Sequence, residues 1–300
     1  MSHVVLYDIG CAWEIDYVTK MLLKDILDDS YVCHFFKTPE LLKYNDTSAE
    51  RLILVFTSNL ASFTDIKTLA ERVKLHVIIH LSDEWGTKPE FVELSSLANL
   101  VLRQHWFPKL YEPRSNLFPI PLGVMTNYPV LLTPKPMTQR SLVWSFIGTV
   151  NHQRQHMINT LLSELVNKPC FVRRGGVKIE DVADTYNNSI FVPNERGAVR
   201  LDCFRLYEAT VAGAIPVVVG SKEELGDTFV YDYDTKEEIG LLPPWIFAQD
   251  WVEASTKCLA LLENTVALQK MQTENLTWFW SRIKLAQKRI AHAVSNHVNK

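Results

Sequence analysis

Residues 200–220 read RLDCFRLYEATVAGAIPVVVG and join a short charged helix directly to an apolar strand. The first half predicts a helix with Arg205 and Glu208 on one face, because residues three apart in a helix are neighbours. Only AGA separates this helix from IPVVV, whose β-branched residues predict a buried strand. The stretch therefore indicates a parallel α/β sheet, with charged side chains placed at the edge where strands end.

Composition and charge are those of an ordinary globular protein of 300 residues, 47% hydrophobic and 22% charged. A formal charge of -3 gives no overall attraction to nucleic acid or to anionic membranes, so we expect no nucleic-acid partner and only local anion sites. Five scattered cysteines without a CxxC pair argue against a disulfide framework or a zinc module. The N-terminus does not resemble a signal peptide, and no apolar run approaches the ~20 residues that span a bilayer. These features predict a cytoplasmic protein.

Strand-like and helix-like segments alternate in two halves of the chain. The runs HVVLY at 3–7, RLILVF at 51–56 and LHVIIHL at 75–81 are typical of buried strands, and the pattern restarts with LVWSFI at 142–147. Such alternation predicts doubly wound parallel sheets that helices cover on both faces. The proline-rich residues 128–140 are the predicted linker.

Two α/β halves of similar size joined by a hinge describe the GT-B architecture of glycosyltransferases, and they also describe other two-domain α/β proteins. We expect the basic, amphipathic last helix to pack back across the N-terminal domain, although such a helix also suits a membrane surface. The predicted parts are an N-terminal α/β domain at 1–130, a C-terminal α/β domain at 131–275 and a returning helix at 276–300.

A loop at one predicted strand end suits a diphosphate. In SFIGTVNHQR a strand ends at Gly148, Thr149 follows, and a helix begins with Arg154 in its first turn. Glycine lets the backbone approach a ligand closely, and a helix N-terminus attracts anions. After the strand-like FVPN, the next such loop carries Arg196. From the residues alone, plain surface arginines remain an alternative.

The pair Arg205 and Glu208 allows two interpretations. A carboxylate at this junction can accept both ribose hydroxyls of a nucleotide while the guanidinium binds its phosphates bidentately. The alternative is an exposed salt bridge between residues three apart, which contributes well under about 1 kcal/mol. The residues alone leave both open.

The segments SFIGT, FVPNERG, FRLYEA and GAIPVVV resemble, in this order, the signature of the exostosin family of glycosyltransferases. The resemblance covers residues 140–225. Ala214 stands where the family usually has cysteine, and Leu-Asp-Cys at 201–203 replaces a serine-rich approach to the arginine. Because the chain begins directly with a strand, it resembles a microbial or viral version without the family's membrane anchor, located in the cytoplasm (the host's, if viral).

The resemblance implies a GT-B fold and inverting transfer of a sugar from a nucleoside diphosphate, most often UDP, to a hydroxyl of a glycan acceptor. It implies that residues 131–275 bind the nucleotide sugar while residues 1–130 face the acceptor, that Glu208 binds the ribose, and that Arg154 and Arg205 neutralise the diphosphate. Because these arginines and a helix N-terminus already supply positive charge, we expect that no cofactor is required. The predicted donor-binding residues are Gly148, Thr149, Arg154, Arg196, Arg205 and Glu208.

Inverting transfer also needs a general base for the acceptor hydroxyl, which we expect in the N-terminal half. Asp83 and Glu84 follow LHVIIHL, and Asp8 follows the first strand; these three are the predicted catalytic residues, with Glu14 next. For Asp83, capping of a helix is an equal alternative. The nearby tryptophans suit either sugar stacking or packing; they are Trp13, Trp85 and Trp106.

Other features leave two further functions open. Asp232 and Asp234 match the Asp-x-Asp metal motif of GT-A enzymes, but a solvated turn explains them better, so we expect no bound metal. GxGxxG and GxxxxGK[ST] are absent from the sequence. The alternatives to a transferase are a catalytically silent glycan- or nucleotide-binding module, and another nucleotide-sugar enzyme such as an epimerase.

Overall fold

A computed structural model describes residues 3–26, 31–46, 51–57, 61–86, 88–107, 116–131, 133–229 and 242–295. The chain forms two compact units, one built from Met1–Leu122 with Arg282–Lys300 and the other from Gly123–Ser281. Each contains one parallel sheet with helices around it, which confirms the predicted fold class. The boundaries 130/131 and 275/276, and the acceptor and donor roles of the two halves, stay predictions.

The first unit is built on a six-stranded parallel sheet in the order β2-β1-β3-β4-β5-β6. The inner strands β3 and β4 are buried almost throughout, as their unbroken apolar sequences require. Its strands and α-helices are β1 (His3–Asp8), β2 (Val32–Phe36), α1 (Thr38–Leu41), β3 (Arg51–Thr57), α2 (Phe63–Ala70), β4 (Leu75–Leu81), β5 (Ala98–Arg103) and β6 (Leu117–Pro119).

Apolar residues at helical spacing over residues 14–27 predict an α-helix, but the structure of this segment is different. The chain instead forms a 3-10 helix at Ile9–Glu14 and a π-helix at Tyr17–Leu22. Cys11 has a non-helical backbone (φ -99°, ψ 21°), so the turn after β1 is kinked. Glu14 therefore lies in a tight 3-10 turn beside the end of the sheet rather than in the first turn of a long helix.

The second unit is built on a five-stranded parallel sheet in the order β11-β10-β9-β7-β8. Trp144, Phe146, Phe191 and Ile215 of its strands are buried in one apolar core with side chains of the covering helices. Its elements are β7 (Leu142–Ile147), α3 (His152–Glu164), β8 (Cys170–Arg173), α4 (Ile179–Asn187), β9 (Ser189–Asn194), α5 (Phe204–Val211), β10 (Ile215–Val219), α6 (Lys222–Phe229), β11 (Ile246–Ala248), α7 (Trp251–Leu262) and α8 (Thr265–Ser295).

Helix α8 begins in the second unit, and its residues from Arg282 onward belong to the first. There Gln287 donates a hydrogen bond to the carbonyl of Met21 (2.8 Å), and the guanidinium of Arg289 lies 3.5 Å from the ring centre of Phe118. The expected packing of the last helix on the N-terminal half is thus observed. In the described ranges, α8 included, no helix is long and apolar enough to cross a bilayer.

The junction between α5 and β10 requires glycine at position 213. Gly213 has φ +72°, and a Cβ there would lie 2.6 Å from Cβ of Pro134 and 2.7 Å from nitrogen atoms of Arg140 and Gln272. Arg140 is buried and cannot yield easily, since its guanidinium donates to four backbone carbonyls. These belong to Lys135, Tyr186, Ser189 and Ala212. The AGA link of the sequence is therefore a close-packed crossing point.

We expect Gly213→Ala to lower the free energy of unfolding by about 2–4 kcal/mol, because it adds left-handed backbone strain to overpacking. Urea denaturation measures the difference. The matched control is Gly226→Ala in α6, where an added Cβ meets no atom within 4 Å; it should be neutral or stabilise the protein by up to about 1 kcal/mol. Equal stability of the two variants would contradict the crossing-point geometry.

Candidate functional site

The second unit has a topological switch point at the carboxyl ends of β7 and β9. Strand β7 pairs with β8 on one side and β9 on the other. The chain leaves these two strands in opposite directions, and a crevice at their ends is the usual ligand site of such sheets. Gly148 and Thr149 follow β7, Arg196 follows β9, and Arg205 lies in the first turn of α5. The fold thus brings together residues from two separate sequence segments.

Uncharged groups hold Arg205 at this edge. Its guanidinium donates to the carbonyl of Ile147 (3.2 Å) and to Oδ1 of Asn194 (2.7 Å), and it hydrogen-bonds the side chain of Tyr186. It also lies 4.7 Å from the ring centre of Phe146. Because none of these four groups carries a charge, they orient the guanidinium without neutralising it. An anion at the crevice can still pair with it.

Gly148 provides the space for this guanidinium. Its φ is +155°, and a Cβ at this position would lie 2.5 Å from Nη2 of Arg205. Any other residue type would displace the charged group or the loop. From the sequence, Gly148 was predicted to let the backbone approach a ligand. In the structure it also leaves the space that the guanidinium of Arg205 occupies.

Glu208 lies one helical turn beyond Arg205 and is only 5% exposed. Burial raises the pKa of its carboxyl group from 4.5 to about 7, although Arg205 and a hydrogen bond from the backbone of Met125 lower it. Its Oε1 is buried and has no hydrogen-bond partner in the described part of the chain. A buried acceptor left without a donor costs about 1–3 kcal/mol. This geometry excludes the exposed salt bridge considered from the sequence.

Arg154 fastens the two loops to each other. Asn151 caps α3 by accepting the backbone N–H of Arg154 (2.9 Å). The Arg154 guanidinium donates to the carbonyl oxygens of Thr149 (2.8 Å) and Arg196 (2.6 Å). Its cation therefore lies beside the N-terminus of α3, where backbone N–H groups also attract anions.

Arg196 has a carboxylate partner of its own. Both terminal nitrogens of its guanidinium pair with Glu224 of α6, in an ion pair that is partly exposed. Binding of a phosphate by Arg196, as predicted from the sequence, would require this pair to open. Of the predicted donor-binding arginines, Arg205 is thus the one best prepared for an anion.

Asn194 is a residue of this site that the sequence analysis missed. It is the last residue of β9 and is fully buried. Its Oδ1 accepts from Arg205 (2.7 Å) and from the thiol of Cys203 (2.7 Å), while its Nδ2 donates to the carbonyl of Leu201 (3.0 Å). One sequence signal could have located Asn194: it is a polar residue at the end of the strand-like run FVPN, directly before the loop that carries Arg196.

The predicted catalytic residues of the first unit occupy three different environments. Asp8 is fully buried, and both of its oxygens accept backbone N–H groups, from Gly10 (2.8 Å) and Thr57 (3.1 Å). Asp83 is buried in an ion pair with Arg103, and Glu84 is half-buried. Both oxygens of Asp8 are therefore occupied by backbone groups, and Oδ2 of Asp83 pairs with Arg103. The catalytic roles of Asp8, Asp83 and Glu84 stay predictions.

Glu14, which the sequence ranked behind these three, is also fully buried. Burial raises the pKa of its carboxyl group from 4.5 to about 7, against hydrogen bonds from Ser82, Gln104 and Trp13 that lower it. A carboxyl group that titrates near neutral pH is typical of acid–base residues. Of the tryptophans, Trp106 is buried and cannot stack on a sugar.

No metal site emerges in the described ranges, since no three His, Cys, Asp or Glu side chains lie together there. Asp232 and Asp234 of the Asp-x-Asp motif lie outside the described residues. The positive charge that the structure does place at the switch point comes from Arg154 and Arg205.

Two parallel α/β units of this topology define the fold class of the GT-B glycosyltransferases. No family model matches the chain. Human ribitol-5-phosphate xylosyltransferase 1 is 26% identical over 245 residues, which are 76% of this chain and 54% of the human protein. The Danio rerio protein of the same name is 27% identical over 188 residues, 55% of this chain and 42% of its own length. The chain thus spans about half the length of these relatives.

Solved structures support the fold assignment. An alpha-glucosyltransferase in complex with UDP and a 13-mer DNA containing a HMU base superposes with a TM-score of 0.60 at 9% identity, covering 99% of this chain and 100% of that one. Anabaena HepE in complex with UDP and glucose gives a TM-score of 0.54 at 11% identity, with coverages of 99% and 100%. At such identities the similarity establishes the fold alone.

We expect Glu208→Gln to gain stability over the wild type as the pH rises. Folding raises the pKa of this carboxyl from 4.5 to about 7, so its stabilising contribution is present below pH 4.5 and is lost as the pH rises through 7. The amide does not titrate. The variant's advantage in free energy of unfolding should therefore be larger at pH 8 than at pH 5 by about 2.5 kcal/mol.

Urea denaturation at the two pH values measures this difference. Glu263→Gln, which alters an exposed carboxyl group of the same unit, is the control and should show no such trend. An advantage of Glu208→Gln that does not change with pH would contradict the buried, neutral carboxyl group.

Proposed function

We propose that the chain is a glycosyltransferase that takes its sugar from a UDP-linked donor bound at the switch point of the second unit. The observation that supports this most is that two groups lie one helical turn apart. Uncharged groups hold the guanidinium of Arg205, and Glu208 is a buried carboxyl group whose Oε1 has no hydrogen-bond partner in the described part of the chain. A nucleoside diphosphate carries both complements, namely phosphate oxygens and vicinal ribose hydroxyls. The xylosyltransferase relatives and the UDP complexes of the similar structures support the same function.

Each side chain then has a definite part in donor binding. Arg205 pairs with the diphosphate, and Thr149 and the N-terminus of α3 offer backbone N–H groups to it. The N–H of Gly148 already donates to the carbonyl of Arg173 (3.1 Å), so Gly148 contributes space for the Arg205 guanidinium. Oε1 of Glu208 accepts a ribose hydroxyl, which satisfies the buried oxygen. Because this bond favours the ionised carboxylate, donor binding lowers the pKa of Glu208 below its unliganded value of about 7.

Chemistry at the site is a displacement at the anomeric carbon. Negative charge accumulates on the leaving diphosphate as the glycosidic bond breaks. Arg205, with Arg154 near it, stabilises that charge. The exostosin resemblance of residues 140–225 adds inversion at the anomeric carbon and a glycan hydroxyl as acceptor; the anomeric coupling constant of the product, read by NMR, decides the stereochemical course.

The names of the relatives suggest the first substrates to test. UDP-xylose with ribitol 5-phosphate follows from the names of the two xylosyltransferases, and UDP-glucose follows from the UDP-glucose complexes of the structural neighbours. A protein that binds these donors but releases no UDP with any acceptor would instead be a binding module that keeps the fold.

Calorimetric titration with UDP tests the donor site. We expect Arg205→Ala and Glu208→Ala each to weaken binding about 10- to 100-fold, because a hydrogen bond to a charged group contributes about 1.5–3 kcal/mol. Arg173→Ala, an exposed arginine in β8 of the same unit, is the matched control and should bind as the wild type does.

Gly148→Ala tests the geometry behind this result. The added Cβ would lie 2.5 Å from Nη2 of Arg205, so the variant should lose affinity for UDP although every charged group remains. No binding of UDP by the wild-type protein, or binding indifferent to Arg205 and Glu208, would overturn the proposed function.

A further inference from the structure

Ser82 adopts a strained backbone conformation at the end of β4. Its φ is +54°, in the left-handed region that residues with a side chain rarely enter. Such strain costs about 1–3 kcal/mol and persists where surrounding bonds enforce it, often at functional sites. Here the enforcing bond runs from the backbone N–H of Ser82 to Oε1 of Gln104 (2.9 Å), in the segment after β5.

The same glutamine ties Ser82 to Glu14. Nε2 of Gln104 donates to Oε1 of Glu14 (2.6 Å) and to the carbonyl of Leu122 (3.0 Å). The hydroxyl of Ser82 donates to the second carboxylate oxygen, Oε2 (2.7 Å). Three segments of the first unit thus hold one hydroxyl against one buried carboxylate, at the carboxyl edge of the sheet.

Ser82 and Glu14, the donor and the acceptor of this hydrogen bond, differ in their exposure to solvent. Glu14 is fully buried, whereas Ser82 is half-buried. The hydroxyl of Ser82 therefore gives a proton from a bound molecule a path to the buried carboxylate of Glu14. By contrast, Asp8 and Asp83 are committed to backbone amides and to Arg103.

Aromatic surface flanks both members of the pair. The indole of Trp13, next to Glu14 in the chain, hydrogen-bonds that carboxylate while remaining 42% exposed. Trp85, three residues after Ser82, is 66% exposed. Exposed indoles are the usual platforms for the apolar faces of sugars and polyols. An acceptor that stacks on these indoles would lie against the same two segments that carry the Ser82 hydroxyl and the Glu14 carboxylate.

We propose that Ser82 and Glu14 form a proton relay that activates the acceptor hydroxyl. The proposal rests on the proposed glycosyltransferase function and names the group that receives the acceptor's proton.

The step balances as follows. The acceptor oxygen forms a bond to the anomeric carbon with its lone pair, and its proton passes to Oγ of Ser82. The original hydroxyl proton of Ser82 passes at the same time to Oε2 of Glu14. The bond from the anomeric carbon to the diphosphate oxygen breaks, and its electron pair leaves with UDP. Glu14, now a neutral acid, returns its proton through Ser82 to solvent once the products have left.

The surroundings of Glu14 suit a group that changes charge at each turnover. Burial raises its pKa to about 7, so it is available as a base at neutral pH. Its hydrogen-bond partners in the described ranges, from its own turn and from the ends of β4 and β5, are uncharged; they are Ser82, Gln104 and Trp13. The titratable groups that feel its charge are Tyr7 and Cys11, and burial raises the pKa of both far above neutral.

Release of UDP from UDP-xylose and UDP-glucose, with ribitol 5-phosphate or water as acceptor, measures the relay. We expect Glu14→Gln and Ser82→Gly each to lower kcat at pH 7.5 by 100-fold or more, with the Kd for UDP within twofold of the wild type. The wild-type kcat should rise with pH up to about 7 and then level off. The residual activity of Glu14→Gln should lack this rise.

Ser82→Gly separates a chemical role from a structural one. It relieves the backbone strain but removes a donor to the buried Glu14, two effects of similar size and opposite sign. The variant should therefore fold about as stably as the wild type while losing activity. Asn167→Gly, which relieves the same strain at an exposed position of the second unit (φ +62°), is the control and should keep full kcat.

The outcomes are distinct. Ser82→Gly within threefold of wild-type kcat would overturn the relay, as would an unchanged pH profile in Glu14→Gln. Should Glu14→Gln fail to fold, Ser82→Gly decides alone. A wild-type protein that neither binds UDP nor releases it would instead refute the proposed function.

Discussion

The guanidinium of Arg205 sets the geometry around the ends of β7 and β9. A charge withdrawn from water costs several kcal/mol unless hydrogen bonds replace the solvent. The carbonyl of Ile147, the amide of Asn194 and the ring of Phe146 replace it here, and Gly148 leaves the space. Two strands, one loop and one helix are thereby fixed relative to each other. These elements surround the guanidinium of Arg205, and none of the contacts named here neutralises its charge.

Each unit also contains a buried carboxyl group whose pKa lies near 7, Glu14 in the first and Glu208 in the second. Glutamine would fit both positions without the cost of burying a charge, so stability alone does not explain either carboxylate. Asp8 is a useful contrast, because two backbone amides satisfy it and it ties β1 to β3. Groups that are costly in the unliganded protein are the ones expected to meet a ligand or a proton.

The sequence predicts the fold well because its strands are continuous apolar runs, and β3, β4 and β10 fall almost where those runs lie. Local patterns also locate the loop after β7 and the pair Arg205 and Glu208. They do not reveal which carboxyl groups are buried, since that depends on segments far apart in the chain. Glu14 contacts Ser82 and Gln104, 68 and 90 residues away, so the sequence ranked it behind Asp8 and Asp83.

Helix α8 has a consequence for how the chain acquires its structure. The first unit includes residues after 281, and Ile283, Ala286 and Ile290 of that segment are buried. During synthesis the whole of the second unit emerges before the N-terminal unit has received its last helix. The half made first is therefore the half completed last, and until then it exposes the apolar surface that α8 will cover. A ribosome-bound chaperone would meet that surface for as long as the second unit takes to be translated.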